Sequence, residues 1–158
     1  MVPAYDILTA TAAAMMTGNE FAIAAFVHPQ LWTLDEPSHA QASVPLARIL
    51  GKFMPLWYAA TLVLILGVAY EHRPLLHGPG SLILSSAVLC IVTILFTIAM
   101  LVPINNRIAR MDPNQPYAEW LLDRARWDRL HSIRVVLLML AVLLLLTGLF
   151  GGITTPVS

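Results

Sequence analysis

The sequence predicts an all-α integral membrane protein, a four-transmembrane-helix bundle with an amphipathic cytoplasmic helical segment leading into the fourth helix. Three observations predict it. Of 158 residues, 58% are hydrophobic and only 11% charged, too few charges to keep the surface of a soluble domain wet. Four apolar runs, at about 5–27, 49–70, 82–102 and 133–153, each reach the roughly 20 residues that a helix needs to cross the hydrocarbon core. Those runs do not alternate apolar and polar residues as barrel strands do; Val135-Val-Leu-Leu-Met-Leu-Ala-Val-Leu143 is an example. A single membrane domain over 1–158 is expected.

The first run lacks a basic leading segment, carries Asp6 and Glu20, and is too long for a signal-peptide core, so it is expected to stay as a helix. Pro29 should end it near His28, because proline donates no hydrogen bond and disfavours helix at the residue before it. The link at about 29–46 contains Pro29, Pro37 and Pro45 and reads as mostly irregular. Between the second and third runs, Glu71-His-Arg-Pro-Leu-Leu-His-Gly-Pro-Gly80 reads as a tight turn. After the third run, Asp112-Pro-Asn-Gln-Pro116 makes a break with helix-start signals, and from about Tyr117 the chain is compatible with helix to Gly148.

Charge sets the expected orientation. Arg48, Lys52, Arg107, Arg110, Arg124, Arg126, Arg129 and Arg134 fall on one side of the spans, and Arg73 alone on the other. The positive-inside rule makes the basic side cytoplasmic and puts both termini outside, with Asp6, Glu71, His72, His77 and the tail 154–158. A bacterial inner membrane is the expected location. The formal net charge is zero, which gives no footprint for nucleic acid. Cys90, deep in the third run, is read as a small buried hydrophobe, and the methionines 15, 16, 54, 100, 111 and 139 as packing groups rather than copper ligands.

The chemistry is expected to centre on Glu20. It lies eight residues before His28, about 12 Å into the span, where a carboxylate costs about 2.5 kcal/mol or more. It therefore should face the bundle interior, with a partner or as a site residue, and Asn19 beside it should hydrogen-bond across helices. Gly18 would let a neighbour approach closely. His28 differs from Glu20 by about 80° around the helix, so both can line one broad cavity but not one narrow stripe.

A second pattern precedes the fourth span. Trp120, Arg124, Trp127, His131 and Arg134 are spaced 4, 3, 4 and 3, which is one face of a helix. The acids Glu119, Asp123 and Asp128 are placed to pair with Arg124 and Arg126. Two readings compete. Interfacial anchoring suits Trp120 and Arg124. Pocket lining suits His131 and Arg134 better, because Arg134 enters the apolar run and needs a partner. His28, Asn105, Asn106, Arg107, His131 and Arg134 all fall at one membrane boundary, while Asp35 and Glu36 read as solvated loop acids. There is no Cys-x-x-Cys, phosphate loop or His-Glu-x-x-His, and no histidine pair suited to bis-His haem, so haem and nucleotide cofactors are not expected. A single transition metal on His28, His131 and Glu20 is chemically reasonable, though no spacing demands it.

Pro103-Ile-Asn105-Asn106 followed by Trp127-Asp-Arg-Leu-His131-Ser-Ile-Arg134 resembles the signature of the anthrone oxygenase-like family of small four-helix membrane proteins. Gly18-Asn-Glu-Phe21 with His28-Pro29 fits the same pattern. The resemblance implies a membrane-embedded oxygenase-like enzyme acting on an apolar phenolic or polycyclic aromatic substrate, of the anthrone to anthraquinone type, with molecular oxygen as cosubstrate. It implies His131 or Glu20 as base, Arg134 and Asn105 at the developing oxyanion, and Asn19, His28, Asn106, Trp120 and Trp127 around a substrate drawn from the lipid. The residues themselves leave alternatives open: a non-enzymatic membrane module binding a small molecule or metal, a helper subunit of a membrane complex, or a proton-coupled transporter using Glu20 as relay and working as a homo-oligomer.

Overall fold

A computed structural model describes residues 3–151, so the tail 154–158 and the end of the fourth run lie outside it. Four helices are long and apolar enough to cross a membrane: α1 Ala4–Leu31, α2 Glu36–Glu71, α3 Gly78–Arg110 and α4 Trp120–Phe150. No strand occurs among the described residues. The outward faces carry exposed Leu, Ile, Val and Phe side chains such as Phe26, Leu56, Val63 and Leu95, as a lipid-facing surface requires.

Each helix outruns its apolar core. The link at 29–46 is not irregular: only 32–35 separates α1 from α2. Pro37 stands in the first turn of α2, where its missing N–H costs nothing, and Pro45 and Pro55 are carried inside the helix. Glu36 is accordingly a helical residue, not a loop acid. At the other connection α4 begins at Trp120, three residues after Tyr117.

Helix α1 runs past His28 to Leu31, and α3 runs past Pro103, by the same device. Ile23–Val27 in α1 and Thr97–Leu101 in α3 are single π turns, with His28 N–H on the Ile23 carbonyl and Val102 N–H on the Thr97 carbonyl. Each ends just before the residue that precedes a proline. The pyrrolidine ring would collide with the carbonyl four residues back, Ala25 or Ala99, and both carbonyls lie in the widened turn. The helix thus absorbs the proline instead of ending.

The bundle is packed tightly at one end and hollow at the other. At the end remote from the basic residues, Ala10, Ala13, Val68, Ile83, Cys90 and Leu145 form the largest apolar cluster. The Asp6 carboxylate meets His72 Nε2 at 3.1 Å there, joining α1 to α2. Gly148 lets α4 close on α3, since a Cβ on it would stand 2.7 Å from Ile83 Cγ1 and 3.0 Å from the Pro79 carbonyl. The basic end is tied by polar bonds instead. Arg48 Nε donates to the Ala109 carbonyl at 2.7 Å, and Arg107 grips Asp123 through Nε at 2.8 Å and Nη2 at 2.7 Å. The direct contacts of Asp123 are thus with Arg107 of α3, while Arg124 and Asp128 pair within α4 at 2.8 Å.

Met16, Met54 and Met111 are core residues, and Met15, Met100 and Met139 face outward. A Cβ on Gly18 would meet nothing within 4 Å, so close approach does not explain that glycine. Gly148→Val should therefore lower stability by about 1–3 kcal/mol through overpacking, whereas Gly18→Ala should be neutral or better. Thermal unfolding of the detergent-solubilised variants would check the contrast.

Candidate functional site

Glu20 is 1% exposed and faces the bundle interior, where side chains from two other helices meet it. From α4, Arg134 Nη2 donates to Glu20 Oε2 at 2.6 Å. From α2, the Tyr58 hydroxyl donates to Oε1 at 3.1 Å. A carboxylate and a guanidinium removed from water each carry a desolvation penalty of several kcal/mol, which their contact and the added hydrogen bond offset.

His131, fully buried, completes the group. Its Nε2 lies 3.2 Å from the Glu20 backbone carbonyl, and its Nδ1 lies 2.7 Å from Arg134 Nη2. A carbonyl only accepts and a guanidinium only donates, so hydrogen-bond logic assigns the proton to Nε2 and a lone pair to Nδ1. Arg134 Nη2 then directs one hydrogen to the carboxylate and the other to the imidazole. The 3.2 Å separation of Nδ1 from Glu20 Oε2 follows from this shared donor and needs no imidazolium.

Aromatic rings enclose the cation. The Arg134 guanidinium carbon lies 5.7 Å from the Tyr58 ring centre and 5.9 Å from that of Trp127, within cation–π range. Trp127 stacks on His131 with centroids 4.8 Å apart and planes at 11°. Behind them His28 packs edge-on against both rings and sets its Nδ1 3.3 Å from Asp128. Trp32 Nε1 donates to the other Asp128 oxygen at 2.7 Å, which fastens the α1–α2 turn to α4.

This group forms the polar floor of a cavity of about 430 Å³, within the ordinary range for small-molecule sites. Glu20, Tyr58, Trp127, His131 and Arg134 line it on one side. The remaining walls come mainly from α2 and α3 and are almost wholly apolar, apart from Asn105, Asn106 and Thr97. Asn105 Nδ2 donates to the Ala47 carbonyl at 3.1 Å, and Gly51 leaves room for it, since a Cβ there would fall 2.7 Å from that nitrogen.

The structure brings Glu20, Asn105, Asn106, Trp127, His131 and Arg134 together around the cavity, and it leaves three expected residues out of the cavity lining. Trp120 is buried away from the cavity, edge-on to His39, with its Nε1 donating to Glu36 at 2.9 Å. His28 stands behind the cavity wall rather than in it. Asn19 turns toward Met54 Sδ at 3.8 Å. All five residues of the α4 stripe are buried, Trp120 and Arg124 included, so the stripe faces protein and not headgroups. The ligand set His28, His131 and Glu20 does not fit a metal either. Arg134 occupies both the Glu20 oxygen and the His131 lone pair, His28 turns to Asp128, and no group of three metal-ligating side chains occurs among the described residues.

Tyr58 escaped the sequence reading. Its signal was its depth: tyrosines of membrane helices favour the interface, and this one stands mid-span.

Fold and site together define a class, the four-helix membrane bundle with a buried carboxylate–guanidinium pair at the base of an apolar pocket. Residues 46–144 match the anthrone oxygenase family, and the chain belongs to that family. The matched stretch holds Tyr58, Asn105, Trp127, His131 and Arg134, while Glu20 and His28 precede it. No curated protein and no solved structure matches the chain.

Breaking the Glu20–Arg134 pair from one side leaves a buried charge alone. Glu20→Leu and Arg134→Met should each cost about 3–5 kcal/mol, and the double variant should be more stable than either. A double-mutant cycle on thermal unfolding in detergent measures this coupling; additive costs would contradict the pairing.

Proposed function

We propose that the protein is a membrane-embedded oxygenase that converts an apolar phenolic or polycyclic CH₂ compound of the anthrone type to the corresponding quinone with molecular oxygen. The observation that carries the reading is the ion-paired carboxylate facing an apolar cavity of about 430 Å³. Membership of the anthrone oxygenase family supports it.

The chemistry balances without a further reductant. Removal of a proton from the ring-flanked CH₂ leaves an electron-rich carbanion. Oxygen takes up its electrons and forms the new C–O bond. Loss of water from the hydroperoxide leaves the carbonyl, so substrate plus O₂ gives quinone plus one water.

Glu20 is the base in this scheme. His131 has both nitrogens engaged, one donating to the Glu20 carbonyl and one accepting from Arg134, so it positions Arg134 rather than taking the proton. The Glu20 carboxylate has accepted two hydrogen bonds and keeps further lone pairs for the substrate proton. Arg134 and Asn105 supply positive charge and N–H donors as the substrate oxygen becomes negative. Trp127 adds an aromatic ring to the cavity wall, and the apolar walls keep water from the carbanion.

Oxygen uptake with a dihydroxyanthrone probe, measured above its spontaneous oxidation, tests the proposal. Glu20→Gln should slow turnover by about 10²–10⁴-fold, the usual contribution of a general base. His131→Ala should also lose most activity while Asn19→Ala keeps it. Full activity in a folded Glu20→Gln protein would remove the base from the scheme.

A further inference from the structure

The cavity is open on one side, and the residues of its rim say toward what. Pro55 and Ala59 on α2 and Ile98 and Val102 on α3 line the cavity and are exposed. Ala59 lies seven residues after Lys52 and twelve before Glu71, about 10 and 18 Å along the helix, which is within the hydrocarbon core. No charged residue occurs on α2 between Lys52 and Glu71, or on α3 from Gly78 to Asn106. A mouth bounded by such residues at such depth faces acyl chains, since water there would meet only carbon.

The local sequence explains the gap. Proline and alanine present short side chains from α2, and the widened turn Thr97–Leu101 alters α3 directly opposite. Pro55 also cannot donate to the Gly51 carbonyl, so this carbonyl of a cavity-lining residue lacks its usual helical partner. At the basic end, Asn105 and Asn106 finish the slot with amides at headgroup level. The slot therefore runs from polar to apolar in the direction of the membrane normal, with the Glu20–Arg134 pair at its back.

We infer that this opening between α2 and α3 is a lateral entrance, through which a small apolar aromatic molecule passes from the acyl region of the membrane to the Glu20–Arg134 floor. Ala59 and Ile98 form its two jambs. Charged, water-borne molecules are excluded by the same surface. The inference rests on the proposed function only for the polar group that the ligand presents to the floor.

A photoreactive apolar aromatic, an iodophenyl trifluoromethyl diazirine dissolved in phosphatidylcholine vesicles that hold the protein, reads the entrance without any turnover. After illumination, mass spectrometry of the peptides should find label on Glu20 and Tyr58 as well as on outward-facing Val63 and Leu66. Ala59→Trp, Ile98→Trp or both should lose the interior label and keep the label at Val63 and Leu66. Ala60→Trp, one position around α2 and outside the cavity lining, should keep both. An unlabelled interior in the wild type, interior label retained in both jamb variants, or equal loss in Ala60→Trp would overturn the entrance. None of these results depends on whether anthrones are oxidised, so failure of the entrance and failure of the reaction are read separately.

Discussion

The contact between Arg134 and Glu20 is the constraint on which the basic half of this bundle depends. Two charges have been brought into an apolar helix bundle, where each alone would be costly. Their pairing joins α1 to α4, and Tyr58 adds α2 to the same carboxylate. His131 then has no freedom left. Its ring is fixed by the Glu20 carbonyl on one side and by Arg134 on the other, and Trp127 and His28 pack around it. Stability and site are thus the same set of atoms, and the polar floor exists because the fold requires it as much as any reaction would.

The opposite half shows what the bundle does without such a demand. Small residues and aliphatics fill the space around Ala13, Ile83 and Leu145, and the void beside Ala13 and Leu145 measures only about 10 Å³. The division explains why a protein of only four helices can hold a pocket at all. The tight half keeps the helices in register, while the prolines and the two π turns let α1, α2 and α3 run on through the looser half without breaking. Polar ties from Arg48 to the Ala109 carbonyl and from Arg107 to Asp123 then close the basic end.

Much of this was legible in the sequence, for reasons that differ by element. The four spans announce themselves because hydrocarbon permits few alternatives to a long apolar helix. The stripe from Trp120 to Arg134 could be read from its spacing, and Arg134 was marked as needing a partner by its place in an apolar run. The partner itself was not legible, because it stands 114 residues away in the chain. The stripe could be seen but not which way it faced; Trp120 and Arg124 fit an interface as well as an interior until Glu36, His39 and Asp128 are placed beside them. Proline misled in the first link. Pro29 reads as a helix end, and Pro29, Pro37 and Pro45 together as an irregular stretch, whereas a widened turn, a first-turn position and a helix interior accommodate them in turn. Composition leaves a metal set open, since it counts imidazoles and carboxylates but not the arginine lying between Glu20 and His131.

The arrangement around Arg134 is best tested by magic-angle-spinning NMR of the protein in lipid bilayers, isotope-labelled at arginine, histidine and glutamate. The geometry requires a through-space correlation between the Arg134 Nη nitrogens and the Glu20 carboxylate carbon, together with a His131 ring protonated at Nε2 and bare at Nδ1. An Arg134 with no correlation to Glu20, or a His131 protonated on both nitrogens, would contradict it.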